Sequence, residues 1–229
     1  MKSYINIKHN TNSKAKMNTS LFGDNHLPHI KSYETKEKIL SKINQEITKT
    51  NLIKLTNSNS NKLEKGYFVI GIPKDSLEMY LYFCNFHGKN ACFLIEKQIQ
   101  AGFKQPKIIQ IQPNISNPAI YDGTLIEASR VYVKNNKERR YVIILHDIIM
   151  SSGENISNEF FIERLKRIGN FLENLEENFR VFPFRMQIVN PFENLRLFQR
   201  RIINYPYKID RYTFVSQYSR RDRLYYDIV

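Results

Sequence analysis

Two stretches, YDGTLIEASRVYV at 121–133 and YVIILHDIIMSSGENISNEFFIERLKRIGNFL at 141–172, constrain the fold of this chain more than any other part. Their pattern predicts a strand, a turn, a second strand, a loop and then a helix. Asp122 and Asp147 stand in otherwise apolar, strand-like runs. Because a carboxylate in a buried strand is costly unless a cation or a hydrogen-bond donor meets it, both residues are candidates for a nucleotide or metal site.

The rest of the chain is also rich in strand patterns. Seven further segments are predicted as strands, the second and third forming a hairpin: 67–72, 79–86, 91–96, 107–112, 181–189, 211–216 and 223–228. Three helices are predicted: an amphipathic one over 32–50, one capped by Ser157, and one that starts at Asn190-Pro191 with Glu193 completing a capping box. Many strands with a few inserted helices indicate an α+β fold on strongly twisted antiparallel sheets.

The polar N-terminal part of the chain predicts a boundary near residue 62. We expect residues 1–62 to form a mobile basic arm that contains the helix at 32–50 and a linker, and residues 63–229 to form the folded domain. The apolar face of the helix is predicted to dock on this domain, and the groove of a protein partner is the alternative.

Charge composition points to an anionic partner. The 229 residues include 35 Lys and Arg against 22 Asp and Glu, a formal net charge of +13, which favours nucleic acid, although a solvated basic surface would give the same count. Near the C-terminus arginines alternate with tyrosines, a combination that suits single-stranded RNA. The arginines predicted to line an RNA path are Arg200, Arg201, Arg220, Arg221 and Arg223.

Several classes of protein are disfavoured by the same composition. The chain contains no apolar run near the ~18 residues that a membrane span needs, and its N-terminus lacks the apolar segment of a secretory signal. Its cysteines and histidines lack zinc-site spacing, so no metal site is predicted from them. We therefore expect an intracellular protein, nuclear or cytoplasmic, with no membrane association and with a viral source left open.

The order of motifs in the two opening stretches resembles the core of mRNA-capping guanylyltransferases. In that family a "DGELV" strand leads to a "YLxFD" strand, an "NGE" turn and an "RL" helix. The matching segments here are 122–126, 141–147, 153–155 and 164–165, and a later "DGLIF" strand matches 210–214. The resemblance implies a nucleotidyltransferase-like core without the OB-fold domain. It implies nucleotide or cap contacts by Asp122, Thr124, His146, Asp147, Asp210 and Tyr212.

The catalytic motif of that family is not retained. Its "KxDGxR" lysine attacks the α-phosphate of the nucleotide, but aligning Asp75 with the aspartate of the motif puts Pro73 at the lysine position. Ser76 then replaces the glycine and Glu78 the arginine. Lys74 is one residue out of phase, and a one-residue shift turns a strand side chain to the opposite face. We therefore predict no catalytic residue, with Lys74 as the nucleophile only if the chain bulges there.

A core that lacks its lysine is similar to the cap-binding domain of snurportin, which holds the cap of small nuclear RNAs. The segments 67–73, 182–195 and 205–219 carry this likeness, although snurportin stacks its cap on tryptophan and this chain has none. Here His146 and Tyr212 are the candidate stacking residues.

Three functions follow as alternatives. The first is a non-catalytic protein that binds an RNA 5′ end or cap and needs no cofactor. The second is an active GTP:RNA guanylyltransferase that uses Lys74, GTP and Mg²⁺ or Mn²⁺. The third is an interaction subunit of a transcription or capping complex, held by a protein partner through the helix at 32–50.

Overall fold

The computed structural model describes residues 19–22, 25–47, 51–63, 66–134, 139–175, 183–218 and 222–228. In chain order the strands are β1 (Thr19–Phe22), β2 (Asn25–Pro28), β3 (Asn51–Lys54), β4 (Tyr67–Pro73), β5 (Leu77–Phe86), β6 (Lys89–Glu96), β7 (Ile108–Ile111), β8 (Thr124–Lys134), β9 (Arg139–Ser151), β10 (Glu154–Asn155), β11 (Phe184–Met186), β12 (Val189–Pro191), β13 (Ile209–Ser216) and β14 (Asp222–Asp227). The helices are α1 (Tyr33–Glu46), α2 (Phe161–Glu173) and α3 (Leu195–Ile202), and short 3-10 helices cover Ser60–Lys62, Pro118–Asp122 and Phe192–Asn194. The predicted α+β class is confirmed.

Two mainly antiparallel sheets form the framework. The larger has the strand order β10-β9-β8-β5-β6-β7, with β11 added parallel to β9. The smaller has the order β12-β4-β13-β14-β3, in which only the β14–β3 pairing is parallel. Strands β1 and β2 form a separate hairpin.

Both faces of the central strands of the larger sheet are buried. On one face Met79, Leu81 and Phe83 of β5 belong to the main core, which includes the apolar side of α2. On the other face Tyr82 and Cys84 pack with α1. Burial on both faces accounts for the nearly continuous apolar runs of these strands, because a strand with one solvated face alternates instead.

Helix α1, which lies within the predicted 32–50 segment, packs on the larger sheet. Ser32 caps it by accepting a hydrogen bond from the Thr35 N–H, and Ile39 and Ile43 are 0% and 2% exposed. Residues Asn51–Lys54 form β3, an edge strand of the smaller sheet. Residues 1–18 of the predicted arm lie outside the described residues.

The strand predicted at 181–189 is two strands in the structure, with 181 and 182 outside the described residues. Strand β11 pairs with β9 of the larger sheet, whereas β12 pairs with β4 of the smaller one. Between them Gln187 is 2% exposed, and its Nε2 donates to the carbonyl oxygen of Gly71 at 3.1 Å. The chain therefore crosses from one sheet to the other at this buried glutamine.

Two predicted helix starts were wrong, for different reasons. Asn190 and Pro191 end β12, because their backbone pairs with β4, so α3 begins only at Leu195. Helix α2 begins at Phe161 rather than at Ser157, whose hydroxyl instead bonds to Asn155 Oδ1 at 2.6 Å.

Candidate functional site

A cleft of about 430 Å³ lies between the two sheets. Strands β5, β8 and β9 of the larger sheet form one wall, and β4, β13 and β14 of the smaller sheet form the other. Its volume is in the range typical of small-molecule sites. The polar and aromatic side chains that matter for its chemistry are Glu78, Tyr80, Lys97, Glu127, Ser129, His146, Arg211, Thr213 and Arg223.

Strand alternation decides which residues of the smaller sheet reach the cleft. Arg211 and Thr213 of β13 line it. Tyr212 and Phe214, one position away, turn to the opposite face, where Tyr212 packs edge-on against Phe198 of α3 at 5.8 Å between ring centroids. Because successive side chains of a strand point to opposite faces, this sheet separates a polar cleft wall from an apolar helix contact.

Charged side chains form a connected network across the cleft. Glu127 accepts hydrogen bonds from Lys97 Nζ at 3.1 Å and from Arg223 Nη2 at 2.8 Å. Arg223, from the smaller sheet, also donates to Asp147 Oδ2 of the larger sheet at 2.9 Å. Burial by itself would lower the pKa of Arg223, but Glu127 and Asp147 raise it above its ordinary value. This arginine therefore joins the two walls as a permanent cation.

Beneath the cleft, the carboxylate of Asp147 is held by a second arginine. Arg164 of α2 is fully buried, and its Nε and Nη2 donate to the two Asp147 oxygens at 2.8 Å and 3.1 Å. The paired geometry is bidentate, which is the strongest form of this ion pair. Asp147 thus positions Arg223 and does not itself line the cleft.

His146 lies in the cleft wall as a neutral imidazole. Its Nε2 is 2.7 Å from Ser129 Oγ. Burial, with a smaller contribution from Lys97, lowers the pKa of His146 to about 4. Among the described residues, its Nδ1 and the Nε of Arg223 are buried polar atoms without a hydrogen-bond partner. Buried polar atoms usually have partners, so these two atoms, one from each wall, mark positions at which a bound polar group could be accommodated.

The structure brings together only part of the predicted nucleotide site. Of the six residues, His146 lines the cleft and Asp147 supports it. Asp122 is exposed at the end of a 3-10 helix, and Thr124 Oγ1 accepts from the Ser152 N–H at 3.0 Å. Next to them Gly123, with φ of +121°, lies against Gly153. The Asp-Gly-Thr segment therefore packs on the β9–β10 turn and does not reach the cleft.

The other two members of that set also lie elsewhere. Asp210 lies at a bulge of β13, between Ile209 and Arg211, and it is absent from the cleft lining. Tyr212 is 7% exposed on the α3 side of the sheet. A stacking role for Tyr212 in this cleft is therefore incompatible with its position.

The three described arginines of the predicted RNA path do not share one surface. Arg200 and Arg201 lie on the exposed side of α3, beyond the outer face of the smaller sheet, and Arg201 donates to Asn190 Oδ1 at 3.2 Å. Arg223 belongs to the cleft network on the other face, with 12% of its side chain exposed. Arg220 and Arg221 lie outside the described residues.

Lys74 is outside the cleft. Pro73 ends β4, and Lys74 and Asp75 form the turn to β5, in which Asp75 has a φ of +56°. The Lys74 N–H donates to the carbonyl oxygen of Lys208 at 2.8 Å, and the Lys74 side chain lines a different depression. The lysine that does line the cleft is Lys97, directly after β6.

Sequence reasoning missed Glu127, Tyr80 and Lys97. Glu127 could have been found, since it is a carboxylate in the apolar run TLIEASRVYV and the argument applied to Asp147 covers it equally. Tyr80 and Lys97 have no such signal, because a tyrosine in a strand and a lysine after one are ordinary.

The described residues contain neither a cluster suited to a metal ion nor a helix suited to crossing a membrane. No group of three or more His, Cys, Asp and Glu side chains in this part of the chain could hold a metal ion. No helix among the same residues has the length and apolar character to cross a membrane.

Sequence comparison assigns the chain to no known family. No protein-family model and no curated protein sequence matches the chain. A solved structure described as "Pmar-Lig_Pre." is similar at a TM-score of 0.41 and 11% identity, covering 86% of this chain and 51% of its own. The chain thus spans about half the length of that protein, and no assignment follows from the likeness.

Proposed function

We propose that this protein binds the methylated 5′ end of an RNA in the cleft between its two sheets and does so without covalent catalysis. The observation that supports this most directly is the composition of the cleft wall. An aromatic ring, two carboxylates and three cations converge there, together with two buried polar atoms that lack partners among the described residues. Such a role requires a compartment that contains capped RNA, either the nucleus or the cytoplasm.

The carboxylates favour a cationic base over a bare triphosphate. Glu78, at the position where the capping motif has arginine, lines the cleft with 45% of its side chain exposed. Glu127, with 6% exposed, lies further inside. A purine methylated on its ring carries positive charge, which carboxylates attract, whereas they repel phosphates.

Tyr80 is the aromatic surface best placed for such a base. It lines the cleft, and Lys97 Nζ already lies 4.6 Å from its ring centroid. A cation can therefore approach this ring within the distance at which cation–π attraction acts. Lys97, Arg211 and Arg223, each already paired with a carboxylate, would supply the positive charge for the phosphates that follow the base.

We expect Tyr80→Leu to weaken binding of a methylated cap dinucleotide by about 1–3 kcal/mol, because leucine keeps the bulk and loses the stacking face. Isothermal titration calorimetry with the methylated dinucleotide and its unmethylated counterpart measures this loss. Wild-type protein should prefer the methylated form.

Two variants serve as controls for that measurement. Tyr226→Ala removes a tyrosine that is 47% exposed on β14 and outside the cleft, so it should leave affinity unchanged. Glu78→Gln keeps the shape and removes the charge, so it should reduce the preference for the methylated form. Equal or undetectable binding of both dinucleotides by wild-type protein would contradict the proposal and favour an interaction subunit of a transcription or capping complex.

We further predict that the protein forms no covalent nucleotide adduct. Pro73 has no amine, Lys74 lies outside the cleft, and Lys97 Nζ is held by Glu127 at 3.1 Å. The measurement is incubation with radiolabelled GTP or ATP and Mg²⁺ or Mn²⁺, followed by denaturing electrophoresis. A labelled band that disappears in Lys74→Ala or Lys97→Ala would establish a guanylyltransferase-type reaction instead.

A further inference from the structure

A second depression, of about 690 Å³, lies apart from the cleft and has no part in the function proposed above. We name it the tyrosine groove. Its boundaries are the β4–β5 turn, the adjoining ends of β8 and β9, and the loop that precedes β13.

Cations predominate along the tyrosine groove. Lys74, Arg130, Lys134 and Lys208 line it, and Asp75 is its one acidic lining residue among those described. Lys74 and Lys208 are held side by side by the backbone hydrogen bond between them. Arg130 and Lys134 lie on one face of β8, with a single residue of the same face between them. Cations on two sides of a groove suit a polyanion that runs along it.

The residue between those two cations is a tyrosine. Tyr132 is 49% exposed, and its ring meets that of Tyr141 at a centroid distance of 5.1 Å. The Arg130 guanidinium carbon lies 4.9 Å from the centroid of the same Tyr141 ring, within the distance of a cation–π contact. Tyr207 contributes a third ring to the lining. Exposed rings set between cations are the arrangement by which proteins stack and neutralise unpaired nucleotides.

We infer that the tyrosine groove binds the single-stranded body of an RNA. A base would stack on Tyr132, and Lys74, Lys134 and Lys208 would contact phosphates. The groove offers two features, an exposed aromatic ring and a row of cations. The bases of a duplex are stacked on each other and cannot stack on the ring, and an acidic peptide has no base to stack, so neither ligand uses both features. The inference rests on the proposed function only in naming RNA as the nucleic acid. Strands β5 and β8 carry residues of both the cleft and the groove, which places the two on one continuous framework.

The test measures binding of an uncapped, unstructured 12-nucleotide RNA by fluorescence anisotropy over a series of salt concentrations. Tyr132→Ala should weaken binding roughly 5- to 150-fold, and Tyr132→Phe should bind as wild type because it keeps a stacking face. Lys74→Ala combined with Lys208→Ala should flatten the log–log salt dependence by about 1.4 units, the value for two single-strand phosphates.

Matched controls separate the groove from general basicity and from the cleft. Lys89→Ala combined with Lys104→Ala removes two exposed lysines from outside the groove and should leave the salt slope unchanged. The groove variants should bind a cap dinucleotide as wild type does, so loss of the cleft's function and loss of the groove's function are distinguishable. The inference is overturned if Tyr132→Ala binds RNA like wild type, if the two lysine pairs lower the slope equally, or if duplex RNA binds as tightly as the single strand.

Discussion

Asp147→Ala should lower the free energy of unfolding by about 3–5 kcal/mol, the loss typical when one partner of a buried ion pair is removed. The Asp147 side chain is 1% exposed and accepts hydrogen bonds from Arg164 and Arg223. Without it, the guanidinium of Arg164, also 1% exposed, remains buried without its carboxylate partner. Urea denaturation measures the change.

The ion pair between Lys166 and Glu163 on the surface of α2 is the control. Its side chains are 65% and 48% exposed, so Lys166→Ala should cost less than about 1 kcal/mol. A double-mutant cycle with Asp147→Ala and Arg223→Ala isolates the contact between the sheets. If Asp147→Ala costs no more than Lys166→Ala, the buried network does not stabilise the fold.

Acid should destabilise the protein through His146. Its pKa is about 4 in the folded protein and about 6.5 when unfolded, so the unfolded chain binds more protons in this interval. The stabilisation is fully present above about pH 6.5 and is lost as pH falls towards 4, by roughly 3 kcal/mol in all. Unfolding free energies measured by urea denaturation across this range give the slope.

The charged groups that influence His146 are Lys97, Glu127, Arg223 and Asp147. His146→Gln separates the contributions, because glutamine keeps a polar side chain and cannot gain a proton. The difference in unfolding free energy between wild type and His146→Gln should shrink between pH 6.5 and 4. A difference that is independent of pH would show that His146 is protonated equally in both states.

Parts of this molecule follow from local pattern. The stripe of Ile39 and Ile43 predicts α1, and the burial of Asp147 predicts that a cation must meet it. Arg164 meets that condition from a helix that the same stretch of sequence predicts. These inferences succeed because the interacting groups are close in sequence or because burial leaves few physical options.

The cleft was harder to predict because it depends on strand register and on a second sheet. Strands β8 and β9 change register between Leu125 and Ile126 and again between Glu127 and Ala128. Each such irregularity re-aims the side chains around it, so alternation alone does not place Glu127 or His146. Alternation does separate Tyr212 from Arg211, but only the position of α3 decides which of them faces the cleft.

The two sheets take their strands from ranges of the sequence that differ in length, and this difference affects the order in which the sheets can fold. Apart from β11, the larger sheet uses strands from residues 77 to 155, whereas the smaller joins β3 to β14 and bonds Asn51 to Asp222 across 171 positions. Contacts between residues so distant in sequence form late. The chain must lose the conformational entropy of closing the loop before the contact contributes any stabilisation. The Arg164–Asp147 pair can therefore assemble early, whereas Arg223 joins it only when β14 pairs with the smaller sheet. During synthesis, the cleft wall that carries Arg223 is therefore completed only after residues 51–222 have left the ribosome.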